Sequence, residues 1–394
     1  MTGILVVGGG IAGPAAALSL HRAGFDVTVY EAHPDTGADI GAFLTLAGNG
    51  MRALAQFGAA EIVAEIGFPV TKMTVLDATG TALVDVPLGE DDDPLTHYRC
   101  LRRAELASAL RREVRRREIP LRHSARLVGI TEDAAGITAG FADGTSATGD
   151  LLVGADGLHS AVRSCLDPAA GPSYAGQRVF YGYTTRAKPL DDRDRITMIR
   201  GSGAAFGCLS SPAGETFWFA RVPRPPSSAE HGRKTAARLR DELLPLLRPD
   251  ATPAADIVAE TGEDLMVTDA LHLSPGIRWR SGRAILIGDA AHAASPATGQ
   301  GASMALEDAV VLAKALRDSE TQAAGLERYE LHRRPRVEQN IEVSAQLTAS
   351  RAAPTPSAVG NAALAHQNRR PPRANPALTA LLDWHTPLPA HPVR

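Results

Sequence analysis

The stretch Ile4-Leu5-Val6-Val7-Gly8-Gly9-Gly10-Ile11-Ala12-Gly13-Pro14-Ala15-Ala16-Ala17 decides the fold. Its four leading apolar residues predict a buried strand. Gly8, Gly10 and Gly13 follow at once, and an alanine-rich helix follows them. That order is the strand, tight turn and helix of a dinucleotide-binding unit. Gly8 gives the turn its positive φ. Gly10 has no Cβ, so a pyrophosphate can approach the main chain. Gly13 lets the helix pack close to the strand. The helix N-terminus then offers free N–H groups and the positive end of its dipole to phosphate. The next apolar strand, Asp26-Val27-Thr28-Val29-Tyr30, runs into Glu31, 18 residues after Gly13. An acid at about 20 residues suits a carboxylate that accepts from a ribose hydroxyl.

The chain has 394 residues, room for two domains or for one domain with an insertion. Hydrophobic residues make up 44 %, enough for a sizeable core, and the formal net charge is −3. Such a balance gives no global attraction to nucleic acid or to an anionic membrane. The basic cluster Arg111-Arg112 and Arg115-Arg116-Arg117 is interleaved with Glu113 and Glu118 and reads as a solvated helix face. Cys100, Cys165 and Cys208 have no metal-ligand spacing. No apolar run reaches the length of a membrane span. A soluble, cytoplasmic protein is expected, without metal.

Further along, Gly48 to Phe57 predicts a short helix closed by Gly58. Val70 to Val86 alternates around Ala78-Thr79-Gly80 and predicts a hairpin. An amphipathic helix opens at Leu101-Arg102-Arg103, and Asp150-Leu151-Leu152-Val153 predicts a buried strand. From about 171 to 271 short β-like runs alternate with turns rich in Pro, Gly and Ser, interrupted by one helical stretch from Arg233 to Leu247. The first texture returns at Ala284-Ile285-Leu286-Ile287. Two long helices follow, from Gly301 to Leu316 and from Leu326 to Ala349, and a shorter one is expected around Leu378 to Trp384. The fold class is therefore α/β. A Rossmann-like cofactor domain with a parallel sheet carries an inserted, mostly β substrate domain and C-terminal helices. The expected division is 1–70, 98–170 and 272–352 for the cofactor domain, 71–97 and 171–271 for the substrate domain, and 353–394 for a tail.

Two later segments carry chemistry. In Gly154-Ala155-Asp156-Gly157-Leu158-His159-Ser160-Ala161-Val162-Arg163, a strand ends on glycine, an acid stands at the turn, and Ser160 is placed to cap a helix. In Gly288-Asp289-Ala290-Ala291-His292 and the following Pro296-Ala297-Thr298-Gly299-Gln300-Gly301-Ala302-Ser303, an acid again ends a strand. The loop then delivers a glycine-flanked helix start, which suits an electron-rich carbonyl or a developing anion. His292 is a candidate acid or base, and Tyr98, with His97 before it, is a candidate for facing the site.

The three motifs in this order resemble the single-component FAD-dependent aromatic hydroxylases, the p-hydroxybenzoate hydroxylase-like flavoprotein monooxygenases. The likeness runs from residue 1 to about 340 and includes Arg333-Arg334-Pro335. It implies that Gly8, Gly10, Ala12 and Gly13 hold the FAD pyrophosphate and that Glu31 holds the adenosine ribose. Arg103 would contact FAD from the side. Asp156 and Gly157 would lie near the pyrophosphate and Asp289 would accept from the ribityl chain. Gly299, Gly301 and Ala302 would offer N–H groups to the flavin's pyrimidine edge, with Pro296 beside its reactive edge. The chain departs from many relatives in having no arginine between Ala32 and Ala47.

The resemblance implies an NAD(P)H- and dioxygen-using monooxygenase. A flavin C4a-hydroperoxide would hydroxylate an aromatic or polyketide-like hydrophobic molecule. NAD(P)H would be a transient co-substrate, since there is one glycine fingerprint with full context. Epoxidation, Baeyer–Villiger insertion and oxidative cyclisation use the same flavin chemistry. A non-enzymatic FAD-binding protein is the rival of another class. A halogenase would carry Trp-x-Trp-x-Ile-Pro, which Trp279 does not fit. The substrate wall is expected from the β layer, whose aromatic residues are Phe180, Tyr181, Tyr183, Phe206, Phe217, Trp218 and Phe219. Alternate members of that set would be core. No nucleic-acid or membrane partner is expected, and the protein would be a monomer or homodimer.

Overall fold

A computed structural model describes residues 3–35, 42–89, 93–188, 192–226, 234–352 and 375–391. Parts of the loop after Glu31, of the acidic turn before Pro94 and of the tail lie outside these residues. No described helix is long and apolar enough to cross a membrane.

The opening stretch forms the strand Gly3–Val7 and the helix Ala12–Arg22. The strand lies inside a six-stranded sheet. Its neighbours are Asp26–Tyr30 and Leu151–Gly154, both parallel. Leu121–Arg122 extends one side; Ala284–Leu286 and Arg280–Ser281 extend the other, the last of them antiparallel. A strand buried on both faces needs side chains without polar atoms, and Ile4, Val6 and Leu152 are almost fully buried. The helix Ala12–Arg22 packs against the long helix Gly301–Arg317. Both helices are rich in buried alanine, Ala15, Ala16 and Ala17 in the first and Ala305, Ala309 and Ala313 in the second, and such small side chains suit a close approach of the axes.

The second large sheet has seven strands. In spatial order they are Leu265–His272, Ser173–Thr184, Thr216–Pro223, Ala205–Ser210, Arg195–Arg200, Lys72–Asp77 and Ala82–Pro87. Pairing is antiparallel except where Arg195–Arg200 meets Lys72–Asp77. The hairpin read at 70–86 is thus joined edge to edge with the later β layer. Sequence periodicity does not reveal the strand Ala205–Ser210, whose six residues are all buried and show no alternation.

The helices Ala236–Leu247 and Ala254–Ala259 cover one face of this sheet, and Phe180, Phe206 and Trp218 belong to the core beneath them. A three-stranded antiparallel sheet, Leu127–Glu132, Ile137–Phe141 and Ser146–Gly149, stands beside the parallel one. Another, Phe43–Leu46 with Arg99–Arg102 and Phe68–Pro69, carries Phe43 and Cys100 into a small core with Tyr183 and Phe217. The long helix Gln322–Ala352 contains Pro335 and continues through it. The tail helix is Pro376–Leu382, begun two residues earlier than expected because the Asn375 side chain accepts from the N–H groups of Ala377 and Leu378.

Candidate active site

A single cavity of about 2060 Å³ runs from the glycine turn to the large sheet. Of the site residues expected from the sequence, Gly8, Gly10, Ala12, Glu31, Arg103, Asp156, Gly157, Asp289, Pro296, Gly299, Gly301, Ala302 and Tyr98 line it. Gly13 and His292 do not.

At the turn each glycine has its own reason. Gly8 has φ +116°, and a Cβ there would stand 2.3 Å from the Ala155 carbonyl oxygen. A Cβ on Gly13 would fall 1.8 Å from the Gly8 carbonyl oxygen, so Gly13 serves packing behind the cavity wall. A Cβ on Gly10 would meet nothing within 4 Å, which leaves its backbone open to the cavity. Glu31 is oriented by two backbone donors: Gly9 N–H to Oε2 at 2.5 Å and His33 N–H to Oε1 at 2.8 Å.

Arg103 opens the helix Arg103–Arg116, and Arg103, Ala107 and Arg111 face the cavity at helical spacing. Arg111 donates to the Gly9 carbonyl at 3.0 Å, which ties the helix to the glycine turn. The reading of Arg111 as part of a solvated face is therefore corrected. The i, i+4, i+8 spacing from Arg103 was the signal for it.

Asp156 borders the cavity, but its carboxylate is turned toward the helix Ala161–Leu166. It accepts from Ser160 Oγ and from the N–H groups of Ala161 at 2.7 Å and Val162 at 3.1 Å. Burial raises its pKa, and these hydrogen bonds work against that rise. Ser160 Oγ accepts from Arg163 N–H at 2.9 Å, the cap read from the sequence. Arg163 is buried and clamps three carbonyls, those of Leu158, Ala170 and Ala290. It thereby holds the Asp156 turn against the segment that follows Asp289.

Asp289 opens a four-residue helical turn, exposed on the cavity. Its Oδ1 lies 3.8 Å from where a Gly301 Cβ would be, so the acid faces the start of the helix Gly301–Arg317. No side chain caps that helix start, and Gly299, Gln300, Gly301 and Ala302 all border the cavity. Its first N–H groups are available to an electron-rich group.

His292 is corrected as a catalytic candidate. It is buried off the cavity, 2.5 Å through Nε2 from Asp308 Oδ2. The same oxygen accepts from Gly288 N–H at 2.8 Å, and Asp308 Oδ1 accepts from Arg333 Nε at 2.7 Å. Arg333 also pairs with Glu307, which accepts from Arg336 and from Asn49. Asn49 in turn reaches Gln300 at 3.2 Å. This buried network braces both ends of the loop that carries Asp289, Pro296 and Gly301. Arg333-Arg334-Pro335 was its one direct sign before the structure.

The aromatic wall is smaller than the sequence suggested. Of the seven aromatic residues named, only Tyr181 and Phe219 line the cavity. They stand directly opposite each other on neighbouring strands. Phe180, Phe206 and Trp218 point to the other face, and Tyr183 and Phe217 pack against Phe43. Val75, Met198 and Tyr98 complete a largely apolar end of the cavity.

Residues 1–344 match the family model described as "FAD binding domain". A FAD-dependent urate hydroxylase of Klebsiella pneumoniae is 33 % identical over 84 % of this chain and 86 % of its own. The aurachin C monooxygenase/isomerase of Stigmatella aurantiaca is 31 % identical over 83 % of this chain and 84 % of its own. The crystal structure of Klebsiella pneumoniae HpxO complexed with FAD and uric acid has a TM-score of 0.81 at 28 % identity, covering 97 % of this chain and 96 % of that one. The glycine turn, the Asp289 loop and these likenesses converge, and the chain belongs to the FAD-binding family of single-component FAD-dependent aromatic hydroxylases, as an FAD-dependent monooxygenase.

Proposed function

We propose that FAD lies along the cavity from the Gly8–Gly13 turn to the Gly301 helix start. An aromatic or hydrophobic small molecule would be hydroxylated against the large sheet. The observation that carries this reading is the continuity of one cavity between those two places. The residues present fit the cofactor. The open backbone at Gly10 is a cradle for a pyrophosphate, and the volume is about twice what a small-ligand pocket offers, roughly 1000 Å³ at most.

In this reading Gly8, Gly10, Ala12 and Gly13 form the pyrophosphate turn, and Glu31 takes the adenosine ribose. Arg103 contacts the cofactor from the side, with Arg111 fixing the turn beneath it. Asp156 holds the Gly157 turn in shape near the pyrophosphate. Asp289 accepts from the ribityl chain. Gly299, Gly301 and Ala302 direct N–H groups at the flavin's pyrimidine edge, where the helix dipole favours negative charge. Pro296 stands beside the flavin's reactive edge. Residues 1–70, 98–170 and 272–352 carry the cofactor, and 71–97 with 171–271 carry the substrate.

Bound FAD supplies hydride acceptance from NAD(P)H and the activation of dioxygen. The chain supplies position and a dry environment. Tyr181, Phe219 and Met198 hold a ring and keep water from it. The test is direct. Purified protein should retain FAD and oxidise NAD(P)H faster when an aromatic substrate is added, with oxygen from labelled dioxygen in the product. Asp289→Ala should lower flavin content. A protein that takes up no FAD, or an Asp289→Ala variant with full flavin, would overturn the corresponding assignment.

A further inference from the structure

Two charges stand on the substrate wall. Arg200 and Arg221 both line the cavity. Arg200 lies directly opposite Ala205, and Ala205 lies directly opposite Arg221. Residues directly opposite in antiparallel pairs share a face of the sheet. The three therefore form one row, with an arginine on each side of an alanine. Two strand spacings put the arginine Cα atoms about 10 Å apart, a gap that two long side chains can span over the Ala205 methyl. The next row on the same face is Met198, Gly207, Phe219 and Tyr181. The cationic row thus borders the aromatic one.

Arg221 is 3 % exposed. Its Nε and Nη1 are buried and have no hydrogen-bond partner, and its guanidinium stands 5.6 Å from the centre of the Phe219 ring. Arg200 is half-buried, and burial lowers its pKa. Among the described residues neither arginine has an ion-pair partner. The carboxylate in register with Arg200 is Asp77, which is turned to Thr79 and Thr81. A buried guanidinium without a counter-charge is costly, and it is accounted for when the partner arrives with a ligand.

Resting on the hydroxylase reading above, we infer that Arg221 and Arg200 form an anion-binding subsite in the substrate half of the cavity. The substrate is then an aromatic molecule with a planar oxyanion such as a carboxylate. The guanidinium fork matches two oxygens of such a group. With the anion on the arginine row and the ring on Tyr181 and Phe219, the ring's orientation is set. The two arginines therefore select which ring carbon is presented for hydroxylation.

The test uses FAD-loaded protein and calorimetric titration with matched pairs of probes: hydroxylated one- and two-ring aromatic carboxylates and their primary amides. In the wild type at least one carboxylate should bind about tenfold or more tighter than its amide. Arg221→Met should weaken that carboxylate by a similar factor and leave the amide nearly unchanged. Arg200→Met should act in the same direction, less strongly. Flavin content reports whether each variant is folded; if Arg221→Met loses flavin, Arg221→Lys and Arg200→Met decide. The inference is overturned if no carboxylate outbinds its amide, or if the preference survives loss of the arginines. It is also overturned if the variants raise the KM for NADPH and keep the preference, which would assign the pair to the dinucleotide's phosphates. Failure of the hydroxylase reading shows separately, as wild-type protein whose NAD(P)H oxidation no aromatic stimulates.

Discussion

His292 is buried behind the cavity wall and holds its loop in place through Asp308. What the sequence displays is a histidine three residues after a strand-ending acid. What it hides is Asp308, 16 positions on, whose carboxylate receives both that ring and the Gly288 N–H. Burial pushes the Asp308 carboxyl upward, but His292 and Arg333 outweigh it and hold the pKa down to about 2. The sign follows from that depression. The ionised form is favoured in the folded state, so its contribution is complete above about pH 4 and is lost as pH falls through about 2. The contribution is on the order of 2 kcal/mol. Asp308→Asn should flatten the loss of stability between about pH 4 and pH 2. It should also cost about 3 kcal/mol at neutral pH, because Arg333 is left partly uncompensated. Denaturant midpoints of both proteins across that range check this; parallel acid slopes would refute it.

Among elements, the glycine turn was the most legible, because its constraint is local. A positive φ, a close approach and an open cradle each depend on residues within one strand–helix unit, and the fold and cofactor class followed from them. The β layer was less legible for a physical reason. Alternation in Thr216–Pro223 says that Phe217 and Phe219 share a face and Trp218 takes the other. It does not say which face meets helices and which a cavity. That depended on where the helix Ala236–Leu247 folds back and on Phe43, far away in sequence, neither of which the strand's own pattern encodes. The turn allows a sharp contrast. Gly13→Ala puts a Cβ into the Gly8 carbonyl, backbone against backbone, and should destabilise the protein by about 3 kcal/mol or more. Gly10→Ala meets nothing and should leave the cofactor-free melting temperature unchanged while weakening FAD binding. Thermal melts with and without FAD separate the two, and similar apo melting temperatures would contradict the division of roles.

At the scale of the whole molecule, the helix Gly301–Arg317 joins three functions along its length. Its first residues border the cavity, and Glu307 and Asp308 in its middle anchor the buried charge network. At its far end Lys314, fully buried, donates to the carbonyls of Ala380, Leu381 and Asp383 and so closes the tail helix at its C-terminus. Arg317 donates to the Trp384 carbonyl, and the guanidinium groups of Arg317 and Arg22 each lie over the Trp384 ring, under 5 Å from its centre. The described tail residues, 375–391, therefore pack on the cofactor unit away from the cavity, and none of them lines its wall. The short helix expected in this tail was legible from its local sequence, but its anchor depends on Lys314 and Arg317, which precede it by some 70 residues. Trp384→Ala removes a buried ring and two cation–π contacts, which should cost about 3 kcal/mol of stability. FAD affinity and kcat should stay within about twofold, because the lost contacts lie at the opposite end of the helix from Gly301. Denaturant unfolding beside steady-state turnover measures both quantities. A large fall in kcat at full flavin content would mean that the helix transmits strain from the tail to the cavity.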